Sequence, residues 1–307
     1  MTAIRSKCAA ALAALVLQIP LQAPAQTPAP AIPGFQDEAA KQNAIYQRRD
    51  REHLDSYVID RSLSAYVNAL PAAFGASLGR LNAGDRWLDI GAGEGQAVLD
   101  YCTAAPETAV DTRMVLPGAA HVVAMSIEDR RTPRWHQVES TLEAGRIQYL
   151  HGRPLGEYAN EALGRFQIIT DMIGGFSYTP NLFAFTQKTL AILATGGSFF
   201  TVLQDVQSED GSNKPFYSGE PFLTRIADSS GADVGVCAWL KRIECAKVTC
   251  QLRPRWKPPI EIYHIEKTCD DVRIPELVPV HYKAGTPPER RFRLKDLPAP
   301  AAGETPR

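Results

Sequence analysis

Residues 86–101 read RWLDIGAGEGQAVLDY, and this passage constrains the fold more than any other in the chain. RWLDI is a short apolar run of the kind buried in a sheet. Three glycines follow at alternate positions, and a helical pattern begins at Gln96 and runs to Thr103. Strand, glycine turn and helix in that order place a ligand over a helix N-terminus, at the carboxyl end of a strand. The dinucleotide fingerprint G-x-G-x-x-G needs its third glycine at position 96, which is Gln96. The glycines are instead Gly91, Gly93 and Gly95, behind the acidic Asp89. No lysine follows in the Walker spacing, so a P-loop is excluded.

Beyond this loop, short apolar runs alternate with helical stretches. Strands are expected over 121–129 (HVVAMSIED), 145–152 (GRIQYLHG), 166–173 (FQIITDMI) and 198–203 (SFFTVL). A helix is expected across Asn181–Leu193, ahead of the turn Thr195-Gly196-Gly197. Apolar strands separated by helices imply a mostly parallel, doubly wound α/β sheet covered on both faces. Upstream, Tyr57, Val58, Leu63, Tyr66, Val67 and Leu70 recur at helical spacing within a helical pattern from Gln36 to Leu81, which Pro71 ends or restarts. Downstream, EIYHIEKT, LVPVHYK and RRFRL alternate like half-buried antiparallel strands. They either extend the sheet or form a small appended subdomain, and the proline-rich RPRWKPP before them reads as a loop. The expected organisation is a Pro/Ala-rich linker at 26–45 and a core with its N-terminal helices at 46–205. A β-rich extension follows at 206–296, and a disordered tail at 297–307.

The run Leu88-Asp89-Ile90-Gly91-Ala92-Gly93-Glu94-Gly95 resembles the first motif of the class I S-adenosylmethionine-dependent methyltransferases. The resemblance extends over about residues 57–203. Phe166–Met172 reads like that family's fourth strand, and Leu193-Ala194-Thr195-Gly196-Gly197 like the turn before its fifth. It implies a Rossmann-like methyltransferase fold with an N-terminal helical cap and a C-terminal β-rich extension. It also implies S-adenosyl-L-methionine as cofactor. That molecule carries no phosphate, so its loop needs closely approaching backbone rather than a cation, which Gly91 and Gly93 allow by lacking a Cβ.

The resemblance assigns the cofactor to Asp89, Gly91, Ala92, Gly93, Gly95 and Met172. Asp89 is the group expected to attract the methionine ammonium, directly or through water. Two positions depart from the family pattern. The second strand usually ends in an acid that accepts both ribose hydroxyls, where this chain has Ser126; Glu128, two residues on, is the expected substitute, and Asp129 the next. Arg153 stands near the place of the acid that usually holds the adenine amino group. The segment ETAVDTRMVLPGAA is also longer than the family's usual connection.

Asp171 closes the fourth strand beneath the loop Met172–Tyr178, and is the candidate to orient or deprotonate an acceptor. Phe176 and Tyr178 are candidate walls of the acceptor pocket. The alternative is that Asp171 caps the following turn and both aromatics belong to the core. His121, His151, His264 and His281 read as structural. The resemblance implies methyl transfer to a small-molecule or peptidic acceptor; no amide-methylation motif, metal-ligand set or nucleic-acid surface marks the acceptor atom. A non-catalytic, exported binding or scaffold module on the same fold is the rival reading.

The N-terminus carries the order of a secretory signal: Arg5 and Lys7, an apolar run from Cys8 to Leu21, then Ala23-Pro24-Ala25. The apolar run is short for a bilayer span, so export to the periplasm or medium is expected, with cleavage near residue 25 and no stable membrane insertion. A cytoplasmic protein starting downstream is the alternative. Cys102, Cys237, Cys245, Cys250 and Cys269 would remain, enough for up to two disulfides among the last four in any of three connectivities. A zinc site is the weaker reading, lacking a close C-x-x-C pair. With 33 basic and 34 acidic residues the formal charge is −1, which gives no basic excess for nucleic acid.

Overall fold

In the computed structural model, residues 32–46, 61–103, 117–204, 223–253 and 260–295 are described. The expected signal at 1–25, the expected tail at 297–307 and most of the long connection after the glycine-loop helix lie outside them. Among the described residues no helix is long and apolar enough to cross a membrane.

The apolar runs become parallel strands: β1 Arg86–Ile90, β2 His121–Met125, β3 Ile147–Leu150, β4 Phe166–Met172 and β5 Leu193–Gln204. The chain then leaves the sheet for β6 Thr224–Ala227 and β7 Asp233–Val234. It returns with β8 Ala246–Arg253 and β9 Ile260–Lys267, and leaves again for β10 Leu277–Lys283 and β11 Glu289–Leu294. The large sheet runs β3-β2-β1-β4-β5-β9-β8, with β9 antiparallel to β5 and to β8. This is the doubly wound, mostly parallel Rossmann-like methyltransferase sheet expected from the resemblance. A second sheet runs β10-β11-β6-β7. Both alternatives for the C-terminal third are therefore realised: EIYHIEK joins the main sheet, whereas LVPVHYK and RRFRL build the second.

Helices cover both faces because successive strand residues point to opposite sides. On β5, Phe200 and Val202 join one buried cluster and Phe199 and Leu203 the other. The first cluster is closed by α2 Leu63–Ala69, α3 Ala72–Leu78, α4 Gln96–Thr103 and α5 Pro133–Thr141. The second takes α6 Asn160–Leu163, α7 Gly175–Tyr178, α8 Leu182–Ile192, α9 Val236–Leu240 and the inner residues of the second sheet.

Local chemistry sets the helix ends. Ser62 caps α2 by accepting from Ala65 N–H at 3.3 Å, Thr132 caps α5 ahead of Pro133, and Asn181 caps α8 at 3.0 Å. At the other end of α8, the buried Lys267 of β9 donates to the carbonyls of Leu190 and Leu193, supplying the cation that a helix C-terminus favours.

Two boundaries differ from the sequence reading. Residues assigned to the linker form a helix, α1 Phe35–Tyr46, because Glu38 and Gln42 accept the Ala284 and Gly285 amides and Phe35 meets Tyr282. The second strand stops at Met125, four residues short of the expected end. Among the described residues the helical pattern expected from Gln36 to Leu81 appears as α1, α2 and α3, with the break at Pro71 where the sequence put it. The C-terminal cysteines pair as Cys237–Cys250, tying α9 to β8, and Cys245–Cys269, closing the base of the β8–β9 pair. Cys102 is buried and unpaired.

Candidate functional site

The chain runs from β1 outward to β2 and β3, then crosses back to place β4 on the other side of β1. The carboxyl ends of β1 and β4 therefore frame the topological switch point, where open α/β sheets bind their ligands. Both loops of interest lie there.

Gly91, Gly93 and Gly95 all adopt left-handed backbone, with φ of 73°, 60° and 77°. The Gly91 and Ala92 amides both donate to Met125 O, wrapping the loop around the end of β2. The Tyr149 hydroxyl, from β3, donates to Gly93 O. Gly91 is exposed, yet a Cβ added there would stand 2.8 Å from Gly174 Cα. A Cβ on Gly95 would stand 2.5 Å from the buried Trp135 ring. The glycine loop is thus seated between the loop after β4 and an indole from α5, in a space only bare backbone fits.

Asp89 lies beneath this loop and is wholly buried. Its oxygens accept from the Tyr66 hydroxyl at 3.0 Å and from Thr170 Oγ1 at 2.7 Å. Thr170 in turn accepts from Trp87 Nε1 at 2.8 Å. Burial pushes the Asp89 carboxyl up to about 7, against the two hydroxyls and the Arg61 guanidinium, which favour the anion. The expected ammonium-facing acid is accordingly covered by Tyr66, a residue of the helical cap.

Asp171 is also wholly buried, and both its oxygens are engaged by backbone. The Gly174 amide donates at 2.6 Å and the Phe176 amide at 2.8 Å. Burial pushes this carboxyl up to about 7 as well; the two amides and Arg290 oppose that, and Asp89 adds to it. Phe176 is fully buried among Phe185, Phe199 and Tyr263, and Tyr178 is 7% exposed. The arrangement is that of a carboxylate capping a turn over two core aromatics. Both oxygens are buried and turned to the amides of Gly174 and Phe176. Met172 is buried, and its carbonyl accepts from Arg61. Ile173 follows with φ of 58°, a conformation uncommon for a β-branched residue.

Glu128 sits past the end of β2 in a bend, half-buried, its carboxylate 3.2 Å from Arg130. It therefore does not share a strand face with Ser126. Asp129 is bound by two guanidinium nitrogens and the backbone amide of Arg131, which hold its carboxyl well below the usual carboxylate range. Arg153 packs over the Tyr158 ring. The histidines lie elsewhere: His121 bonds Gly145, His151 approaches Asp129, His264 stacks on Phe200 and His281 approaches Glu289.

The structure thus brings the glycine loop, Asp89, Met172 and Asp171 together at the switch point and adds Tyr66, Thr170, Tyr149 and Trp135. Nothing in sequence spacing marks those four, since each reaches the site across a tertiary contact. Among the described residues no cluster of three or more potential metal ligands occurs.

No family model matches the chain, and no curated protein matches it. Solved structures do. An rRNA methylase from Streptococcus thermophilus is 13% identical with a TM-score of 0.40, covering 64% of this chain and 93% of its own. The N-methyltransferase NodS from Bradyrhizobium japonicum WM9 is 10% identical with a TM-score of 0.37, covering 64% and 93%. The N-terminal domain of EvdMO1, with S-adenosylhomocysteine bound, is 11% identical with a TM-score of 0.41, covering 77% and 97%. At these values the likeness decides nothing about activity. The strand order, the switch point and the glycine loop stand on this chain's own geometry.

Proposed function

We propose that the chain binds S-adenosyl-L-methionine in the crevice over β1 and β4 and transfers its methyl group to a small-molecule or peptidic acceptor. One observation carries the reading: three left-handed glycines at the switch point, with Gly91 exposed at the loop's surface and the backbone of Gly174 packed where its Cβ would stand. Bound there, the cofactor supplies an activated methyl on a sulfonium. Displacement at such a centre needs positioning and exclusion of water more than a general base. Gly91, Ala92, Gly93 and Gly95 present backbone to it, and Met172 closes the crevice floor. Asp89 acts on the ammonium through the Tyr66 hydroxyl that covers it. Glu128, held by Arg130, is the carboxylate for the ribose hydroxyls. In this reading Asp171 holds the loop, and the acceptor's own nucleophile needs no carboxylate base.

The rival reading, a non-catalytic exported module, is favoured by the internal pairing of Asp89 and Glu128. Calorimetric titration with S-adenosylhomocysteine separates the two. Micromolar binding, about −8 kcal/mol, abolished by Gly93→Arg in a folded protein, is the expected result. No binding at millimolar ligand would sink the enzyme reading in favour of the module.

We also infer export. Two disulfides among the described residues suit an oxidising compartment, in keeping with the secretory order at the N-terminus. Mass spectrometry of the mature protein is expected to find Gln26 at its start; retention of Met1 would overturn this.

A further inference from the structure

We propose that Arg290 is a positioning residue for the candidate site: from the second sheet it locks the turn Gly175–Thr179 so that Gly174 stays pressed against the glycine loop. Arg290 stands on β11 and has no exposed surface. Its Nη1 donates to Phe176 O at 2.8 Å and to Thr179 O at 3.0 Å. Nη2 and Nε donate to Thr224 Oγ1 of β6 at 2.8 and 3.2 Å. The Tyr282 hydroxyl, from β10, donates to Tyr178 O at 3.3 Å.

The turn is therefore held from two sides by complementary hydrogen-bonding groups. Asp171, on the main sheet, takes the N–H groups of Gly174 and Phe176, while Arg290 takes the carbonyls of Phe176 and Thr179. Phe176 is gripped at both ends of its backbone. The grip has something to hold. Ile173 is in left-handed backbone, and such strain persists only where the surroundings over-determine it. Gly174 leaves no slack either, since a Cβ there would lie 2.8 Å from both Asp171 Oδ1 and Ile90 O.

The chemistry asks for arginine in particular. A planar fork of five donors can serve two carbonyls and a hydroxyl at once, which an ammonium on a flexible stem does poorly. A buried cation is costly without an anion to offset it, and Asp171, on the far side of the turn, is a carboxylate that feels its field. The second sheet is thus part of the site's construction and not an appendage to it.

Amide hydrogen exchange on the full-length, ligand-free chain tests this directly. In R290M the Gly174 and Phe176 amides are expected to exchange at least about tenfold faster, with the β1 and β2 amides unchanged. R290K should recover part of the protection. T224V, which removes one acceptor but neither carbonyl contact, should give a smaller change, and it decides the question if R290M does not fold. Unchanged exchange at Gly174 and Phe176 in the folded variant overturns the proposal.

The second readout rests on the cofactor reading. S-adenosylhomocysteine affinity is expected to fall about tenfold in R290M and to return in part in R290K. Equal affinity in wild type and folded R290M would overturn a role for Arg290 in positioning the site. Faster exchange with no binding even in wild type would leave the clamp standing and remove the cofactor reading alone.

Discussion

Gly91→Ala is expected to cost about 3–5 kcal/mol of folding stability, and Gly145→Ala only about 1–2 kcal/mol. The two glycines share a backbone conformation, with φ of 73° and 79°, so the left-handed penalty on an L-residue is common to both. They differ in what a methyl group would meet. At Gly145 nothing lies within 4 Å, whereas at Gly91 the new carbon would stand 2.8 Å from Gly174 Cα. That obstacle is main chain, and it has nowhere to go: Asp171 holds the Gly174 amide, and Ile90 O closes the other side. Relief would require the whole turn after β4 to shift, breaking the contacts of Asp171 and Arg290 with it. Urea unfolding of the two variants beside wild type measures the difference. If Gly91→Ala costs no more than Gly145→Ala, the two loops are not in contact and the crevice is wider than described. In the cofactor reading the same variant also loses S-adenosylhomocysteine binding by tenfold or more, which Gly145→Ala leaves intact.

The frame around this contact was legible because apolar runs, glycines and helix caps are local signals. RWLDI, VVAM and FQIITDM read as buried strands and are buried strands. The limits were set by tertiary geometry. Asp171 was visible as the acid closing the fourth strand, but whether its oxygens face an acceptor or the amides of Gly174 and Phe176 depends on how the chain turns at Ile173. Glu128 is expected, as the substitute two residues beyond Ser126, on a strand running to residue 129, and that placement fails once the strand ends at Met125. The pairing of Cys237 with Cys250 follows from α9 docking on β8, which no spacing encodes. Arg290 is the instructive omission. It stands two and four residues before Phe292 and Leu294, so the alternation in RRFRL already put it on the apolar face. A charge at an apolar position signals a buried partner, and here that partner is the backbone of the site.

Stability is expected to fall as pH rises from about 4 to beyond 7, and Asp89→Asn is expected to remove a large part of that slope. Asp89 and Asp171 have carboxyls pushed up to about 7 by burial in the fold, against about 3.9 in an unfolded chain. The folded state therefore holds protons that the unfolded state has released. The stabilising difference is complete below about pH 4, is lost as pH climbs through the folded value near 7, and stays lost above it. The upper bound is about 4 kcal/mol for each group. The groups that enter this balance are the Tyr66 and Thr170 hydroxyls and the Arg61 guanidinium around Asp89, and two backbone amides, Arg290 and Asp89 itself around Asp171. Urea midpoints at pH 5 and pH 8 read the slope, and Asp89→Asn separates the share of Asp89, with its effect on Asp171, from that of the histidines. The variant is expected to match or fall below wild type at pH 5 and to exceed it at pH 8. Parallel curves for wild type and variant would mean that Asp89 is ionised throughout, already balanced by the Arg61 guanidinium. The same acid links stability to function. A cationic group brought to the crevice favours the Asp89 anion, so a bound α-amino-acid ammonium flattens the slope above pH 6. A ligand lacking that ammonium, such as 5′-methylthioadenosine, leaves the slope as it is. A buried carboxyl whose proton is held above the usual carboxylate range thus costs the fold stability at the one point where the proposed cofactor brings the charge that offsets it.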